Sequence, residues 1–315
     1  MALNTATSGT SSFNLDINNL VEEAFERCGA ELRTGYDLRT ARRSLNLLTI
    51  EWANRGINLW TVEQGEIPLV QGQILYALPT ETIDLLDQVV RTGTGINQID
   101  INITRISEST YITIPNKNAQ GRPIQVWINR QTGNTNSTTS TLSTTITATS
   151  TSIELSDVTM LGSTGFIKLD NEIISYSNLE KSATSSAGTL SNLGRGQQNT
   201  LAAAHTAGAA VTVTNVPNIS IWPVPEQSDY YTLVYYRLRR IQDAGSSGSN
   251  TQDIPFRFLP AMVAGLAYHL SLKIPEALPR VPMLKAMYEE TYQQAADEDR
   301  EKAALRLAPR MQFIR

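Results

Sequence analysis

Histidine and cysteine carry much of the catalysis near neutral pH. This chain of 315 residues has two of the first and one of the second. A Ser-His-Asp relay would need His205 or His269 as its base. His205 lies in the loop-like run Ala202-Ala-Ala-His-Thr-Ala-Gly208, and His269 stands between Tyr268 and Leu270 in a helical pattern. Both read as hydrogen-bonded structural residues. Cys28 falls on an apolar helix stripe and reads as a small buried hydrophobe. One cysteine rules out a disulfide framework, and two histidines are too few for a histidine-built zinc centre. Carboxylate pairs occur at Glu22-Glu23 and Glu289-Glu290, but helix neighbours diverge by about 100° and do not converge on a substrate. No GxxxxGK[ST] phosphate loop is present. Gly93-Thr-Gly95 and Gly194-Arg-Gly196 lack a third glycine and read as turns. Arg237, Arg239 and Arg240 close a strand; they either hold a neighbour's carboxylate or line a solvated edge, and the edge is the simpler reading. The side chains therefore point to no catalytic residues, no metal site and no cofactor, and the expectation is a protein that is not an enzyme.

Charge excludes a further class. Thirty acids against 26 bases give a net charge of −4 and a pI near 5.4. A dedicated nucleic-acid binder would be strongly basic. Residues 1–13 (MALNTATSGTSSF) have neither a basic nor an apolar targeting segment and read as a flexible arm. The most apolar run, residues 258–272, falls short of the ~20 residues that cross a bilayer. At ~150 residues per domain, the length predicts about two domains.

Periodicity then places the elements. Leu20, Val21, Ala24, Phe25 and Cys28 share one face of a helix over residues 15–28, stopped by Gly29. Leu38, Ala41, Leu45, Leu48 and Trp52 line a second over 36–54, with Arg39, Arg42 and Arg43 off the stripe, solvated or facing a partner. The short link predicts a helical hairpin. From 57 to 129 the period shifts to two. Ile99-Asp-Ile-Asn-Ile-Thr-Arg-Ile106, Tyr111-Ile-Thr-Ile114 and Ile124-Gln-Val-Trp-Ile128 read as strands. Residues 83–90 fit a short helix or a strand. In 131–152, 15 of 22 residues are Ser or Thr, a composition that makes a linker or an extended edge. Strands follow at 153–155, 165–169, 172–176 and 210–213, with Asp170-Asn171 as a hairpin turn. Residues 219–223 and 230–236 resume the main sheet. A helix over 256–273, capped by Asp253, is apolar almost all round and should be the central one. The last helix, 283 to about 305, starts amphipathic and becomes charged. Beyond Ala296 little faces a core, and the six acids from Glu289 to Glu301 read as a solvated face. Such a helix either projects into solvent or lies on another subunit.

The fold class is therefore α+β: a discontinuous four-helix domain from both chain ends, a central antiparallel β region, and an inserted small all-β module. The expected domains are a flexible arm (1–13), a helical domain (14–56 with 253–305), a β region (57–130 with 217–245), an inserted β module with its Ser/Thr-rich linker (131–216), and a C-terminal tail (306–315). That tail holds three arginines, no acid, and Leu307, Met311, Phe313 and Ile314. Four large apolar side chains suit a docking peptide that orders on a partner.

Leu20-Val-Glu-Glu-Ala-Phe-Glu-Arg-Cys-Gly29, Ala41-Arg-Arg-Ser-Leu-Asn-Leu-Leu-Thr-Ile-Glu-Trp-Ala-Asn-Arg-Gly56, Leu59-Trp-Thr-Val62, Tyr76-Ala-Leu-Pro79, Ile221-Trp-Pro-Val-Pro225, the strand from Tyr231 to Arg237 and Ile254-Pro-Phe-Arg-Phe-Leu-Pro-Ala-Met-Val-Ala-Gly-Leu-Ala-Tyr268 come in an order that resembles the head-to-tail adaptor proteins of short-tailed bacteriophages, which complete the head and stabilise packaged DNA. Gly165-Phe-Ile-Lys-Leu-Asp-Asn-Glu-Ile-Ile-Ser-Tyr176 with residues 193–208 resembles a β module inserted in many phage tail proteins. The resemblance implies a virion protein, made in the host cytoplasm, that forms a dodecameric ring of itself beneath the portal protein. Below, it would meet a tail nozzle or tail fibre or tailspike proteins. Viral DNA would pass through its ejection channel without sequence-specific binding, and no membrane is involved. It implies portal binding by Arg306, Leu307, Arg310, Met311, Phe313, Ile314 and Arg315. Glu289, Glu290, Asp297, Glu298 and Asp299 become channel-facing or intersubunit candidates.

Two other readings compete. A receptor- or glycan-binding tail module centred on 153–214 would need aromatic platforms, and Phe166 and Tyr176 are the only aromatics there. A peptidoglycan-cleaving activity rests on abundant acids alone.

Overall fold

The computed structural model describes residues 10, 12–33, 35–56, 59–131 and 133–299. In chain order the elements are α1 (Ile17–Cys28), α2 (Gly35–Asn54), β1 (Val62–Pro68), β2 (Leu75–Ala77), β3 (Thr82–Thr92), β4 (Ile99–Asn102), β5 (Thr104–Arg105), α3 (Glu108–Ile112), β6 (Gln125–Asn129), β7 (Gly133–Thr141), β8 (Ser152–Leu155), β9 (Gly165–Leu169), β10 (Glu172–Lys181), β11 (Gly188–Gln197), β12 (Ala210–Asn215), β13 (Asn218–Trp222), β14 (Tyr231–Arg239), α4 (Leu259–Ser271) and α5 (Val281–Glu298). The class is mixed α and β with mainly antiparallel sheets. The chain divides into two compact units: the described residues of Met1–Thr61 with Ile241–Arg315, and Val62–Arg240.

In the helical unit, Asp16 caps α1 by accepting from the Asn19 N–H at 2.8 Å, and Gly29, at φ 75°, ends it in the left-handed conformation that glycine tolerates. Helix α4 is buried along nearly its whole length, and α1, α2 and α5 pack on it. Helices α1 and α2 touch each other, yet both lie mainly on α4, whose apolar residues run round its circumference. Trp52 anchors the core, its ring 5.4 Å from Phe258 and 5.7 Å from Tyr292, while its Nε1 donates to Tyr288 Oη at 3.0 Å. Satisfying that indole N–H is what allows so large a side chain to be buried fully. Asp253 is not the α4 cap: its carboxylate accepts from the Gln242 N–H, and Pro255 precedes a 3-10 turn, Phe256–Phe258, that leads into the helix.

The second unit holds three sheets, with strand orders β1-β14-β3-β4, β2-β13-β6-β5 and β7-β12-β9-β10-β11-β8. Leu85, Val90, Leu233 and Tyr235 of the first sheet share one core with Val126, Ile128, Ile219 and Ile221 of the second, as in a sandwich. The six-stranded sheet has its own core around Leu155, Ile167, Ile174, Tyr176 and Val211. Its two edge strands approach each other, Ser143 N–H donating to Glu154 O at 2.8 Å and Ser156 N–H to Thr141 O at 3.0 Å, so the sheet curls toward closure. This hides edges that would otherwise invite foreign strands. The module is also bonded to β2: Ala77 N–H donates to Gln197 Oε1 at 3.1 Å, and Leu75 packs with Phe166 and Val216.

Several expectations change. The alternating run 99–106 is two strands in two sheets: β4 pairs with β3, β5 pairs in parallel with β6, and the chain crosses at buried Ile103. Tyr111 belongs to helix α3, because Ser107 accepts from the Thr110 N–H and starts a turn there. Residues 83–90 are strand. The Ser/Thr tract begins with an extended edge, β7. Gly194-Arg-Gly196 lies in strand β11, where a Cβ on Gly194 would collide with Ser175 Oγ and Gln73 Nε2. The Asp170-Asn171 turn joins β9 to β10, with Leu169 opposite Glu172 and Asp170 at φ 52°.

Candidate functional site

The described sequence candidates are each held by their own neighbours. Cys28 is buried, its Sγ 3.1 Å from Ala267 O, and burial pushes the thiol up to about 11. His269 Nε2 lies 3.3 Å from Glu51. His205 is enclosed in the β module, Nδ1 2.7 Å from Asp170 and Nε2 2.9 Å from Glu172. Arg195 forks onto Glu172 at 2.7 and 2.8 Å, and the backbone N–H groups of Gly196 and Ala203 also donate to that carboxylate. Burial pushes Glu172 up, yet these donors outweigh it and hold the group at about 2. Glu172, at the centre of the network, is 1% exposed and taken up by its donors, while Asp170 at the rim is 61% exposed, so the network serves to stabilise the module.

Arg237 is a second correction. Its strand, β14, is internal to its sheet, and the residue is 7% exposed. Arg237 donates to Glu63 at 2.8 Å and Glu81 at 3.1 Å, while Arg239 donates to Glu63 at 2.6 Å. The neighbour-carboxylate reading holds for these two residues, and the solvated edge does not. Among the described residues no group of His, Cys, Asp or Glu is arranged to hold a metal ion, and no helix is long and apolar enough to cross a membrane.

What remains is surface that could meet a partner. Arg306, Leu307, Arg310, Met311, Phe313, Ile314 and Arg315 lie outside the described residues. The acidic candidates on and just after α5 separate. Glu289 is held by Arg55 at 3.0 and 3.1 Å, which also draws its carboxyl below the usual range. Asp299 is buried against Arg257, which corrects its assignment to a solvated face. Glu290, Asp297 and Glu298 stay exposed.

Two features went unread in the sequence. The first is a groove of about 810 Å³ floored by Phe13, Leu15, Phe256, Leu259 and Val263, with Glu22, Glu23 and Glu26 around it. Phe13 and Phe256 are 76% and 75% exposed. The second is apolar exposure on helices already provided with a buried face: Leu47 and Ile50 on α2, Met283 and Met287 on α5. Leu47 and Ile50 fall off the α2 stripe, and that mismatch was the available signal. Large apolar side chains left outside a core mark association surfaces.

No curated protein matches the chain. A family model described as SU10 adaptor protein matches residues 118–311, more than half of the chain. This protein therefore belongs to the SU10 adaptor family of phage head–tail adaptors and is a structural phage protein.

Proposed function

We propose that the chain is one subunit of a closed ring, dodecameric by its resemblance to short-tailed phage adaptors, that joins the portal to the tail nozzle or fibres. In this reading the four long helices from both chain ends build the ring wall, and the ring retains packaged DNA and forms part of the ejection channel. The observation that carries it is the family match over residues 118–311. The helical unit's exposed apolar residues support it, since such a surface needs a cover. A ring also needs two different matching faces on each subunit. The mild acidity suits a conduit, because a basic lumen would hold DNA by counterion release.

Residues 306–315 are assigned to the portal. The test is removal of residues 308–315, followed by binding to the cognate portal ring. The expected result is loss of binding; capsid attachment unchanged from the full chain would overturn the assignment. A glycan-binding role for the β module is not favoured, because Phe166 and Tyr176 are 4% and 2% exposed and offer no sugar platform. Peptidoglycan cleavage has no specific observation in its favour.

A further inference from the structure

Helix α2 turns Ala41, Leu45, Leu48 and Trp52 inward. Diametrically opposite, at 3.6-residue spacing, runs an exposed stripe of Tyr36, Arg39, Arg43, Leu47 and Ile50. Tyr36, Leu47 and Ile50 are 67%, 53% and 48% exposed. Helix α5 turns Leu284, Tyr288, Tyr292 and Ala295 inward and carries Met283, Met287, Glu290, Gln294 and Asp297 outward. Each stripe has an apolar end and a charged end. On α2 the arginines come first and the apolar pair last; on α5 the methionines come first and the acids last. At 1.5 Å per residue the two ends lie ~11 Å apart on α2 and ~13 Å apart on α5.

We propose that the outer stripe of α2 docks antiparallel on the outer stripe of α5 in a second copy of this chain. In that register Leu47 and Ile50 meet Met283 and Met287, while Arg39 and Arg43 meet Glu290 and Asp297. The alternatives fail on charge. Two α2 stripes related by a two-fold axis either run antiparallel, bringing arginines onto Leu47 and Ile50, or run parallel, setting Arg39 and Arg43 against their own copies, and both arrangements bury or crowd like charge on the stripe. Two α5 stripes do the same with carboxylates on methionine. Because α2 pairs with α5 and not with itself, the contact is heterologous and each copy keeps one face of each kind free, the kind of contact that a ring is built from when the rotation per copy closes. This inference rests on the ring reading above and names the faces that make the ring.

The test is thiol trapping in the full-length chain. Leu47→Cys and Met287→Cys are made separately, with Cys28 retained because it is buried, and one variant carries a mass tag. They are mixed at equal amounts with the cognate portal and oxidised. The expected product is the mixed Leu47→Cys/Met287→Cys dimer, at least tenfold over either homodimer. The chain carrying both substitutions should give a ladder of covalent multimers. Arg43→Glu should suppress the mixed dimer, and Glu290→Arg on the partner chain should restore it. Homodimers in excess, or no mixed product, would overturn the pairing. Multimers of the unmodified chain on the portal would then show that the ring stands on other faces; their absence would remove the ring reading as well.

Discussion

The helical unit and the six-stranded module differ in what they leave exposed. In the module, both aromatics are buried, the edge strands meet, Arg195, Glu172, His205 and Asp170 bond one another, and the exposed apolar residues Met160 and Leu201 stand singly in loops. In the helical unit, the core around Trp52 and Phe258 is equally complete, yet Leu47, Ile50, Met283 and Met287 are exposed on its helices and Phe13 and Phe256 line an open groove. The module's exposed large apolar residues thus lie in loops, whereas the helices keep a second apolar stripe after filling their own core. The helices therefore carry the surface proposed for association, while the module is held by its internal network and by its bonds to β2.

Changes inside the module should break stability, and changes on the outer helix faces should break association without it. The largest effect is expected for Glu172→Ala, which takes their shared carboxylate from the largely buried Arg195 guanidinium and the buried His205 imidazole: ~3–5 kcal/mol off the unfolding free energy of the β unit, measured by urea denaturation. Gly265→Ala should cost ~1–2 kcal/mol in the helical unit. Its methyl would come within 2.9 Å of Leu48 Cδ2 and Tyr288 Cε2, and overpacking of ~1–3 kcal/mol exceeds the ~1 kcal/mol gained in helix propensity.

A pH titration sharpens the contrast. The Glu172 carboxyl is depressed to about 2 by its donors, so its contribution is complete above its ordinary value of 4.5 and is lost as pH falls through about 2. Acid unfolding of the β unit should show this loss, and Glu172→Gln should flatten it; an unchanged acid limb would mean the network contributes nothing. The smallest stability effect is expected for Ile50→Ser, within ~0.5 kcal/mol in thermal unfolding, because the side chain lies outside the core. Its multimer yield on the portal should nonetheless fall severalfold.

Much of this was legible where one period dominates. The stripe from Leu20 to Cys28, the all-round apolar run of α4 and the two-residue turn at Asp170-Asn171 follow from spacing and turn chemistry alone. What failed did so where tertiary contacts override a local pattern. The alternation at 99–106 cannot reveal that the chain changes sheets at Ile103. Gly194 reads as a turn because nothing local shows Ser175 and Gln73 pressing on its Cα. Arg237 reads as solvated because its partners, Glu63 and Glu81, stand more than 150 positions away. Asp299 went inward for the same reason, its partner Arg257 lying on a different element. The candidate site was the least legible part: an assembly surface has no motif, and its signal is only an apolar residue at a helix position that should be polar.

The central claim is that this chain becomes a ring subunit when it meets the portal. Native mass measurement of the full-length protein, alone and mixed with its cognate portal ring, tests it directly. The expected result is one complex with a fixed integer number of copies, twelve per portal ring, whether or not the isolated protein is a monomer. A monomer in both samples, or a single copy bound per ring, would contradict it.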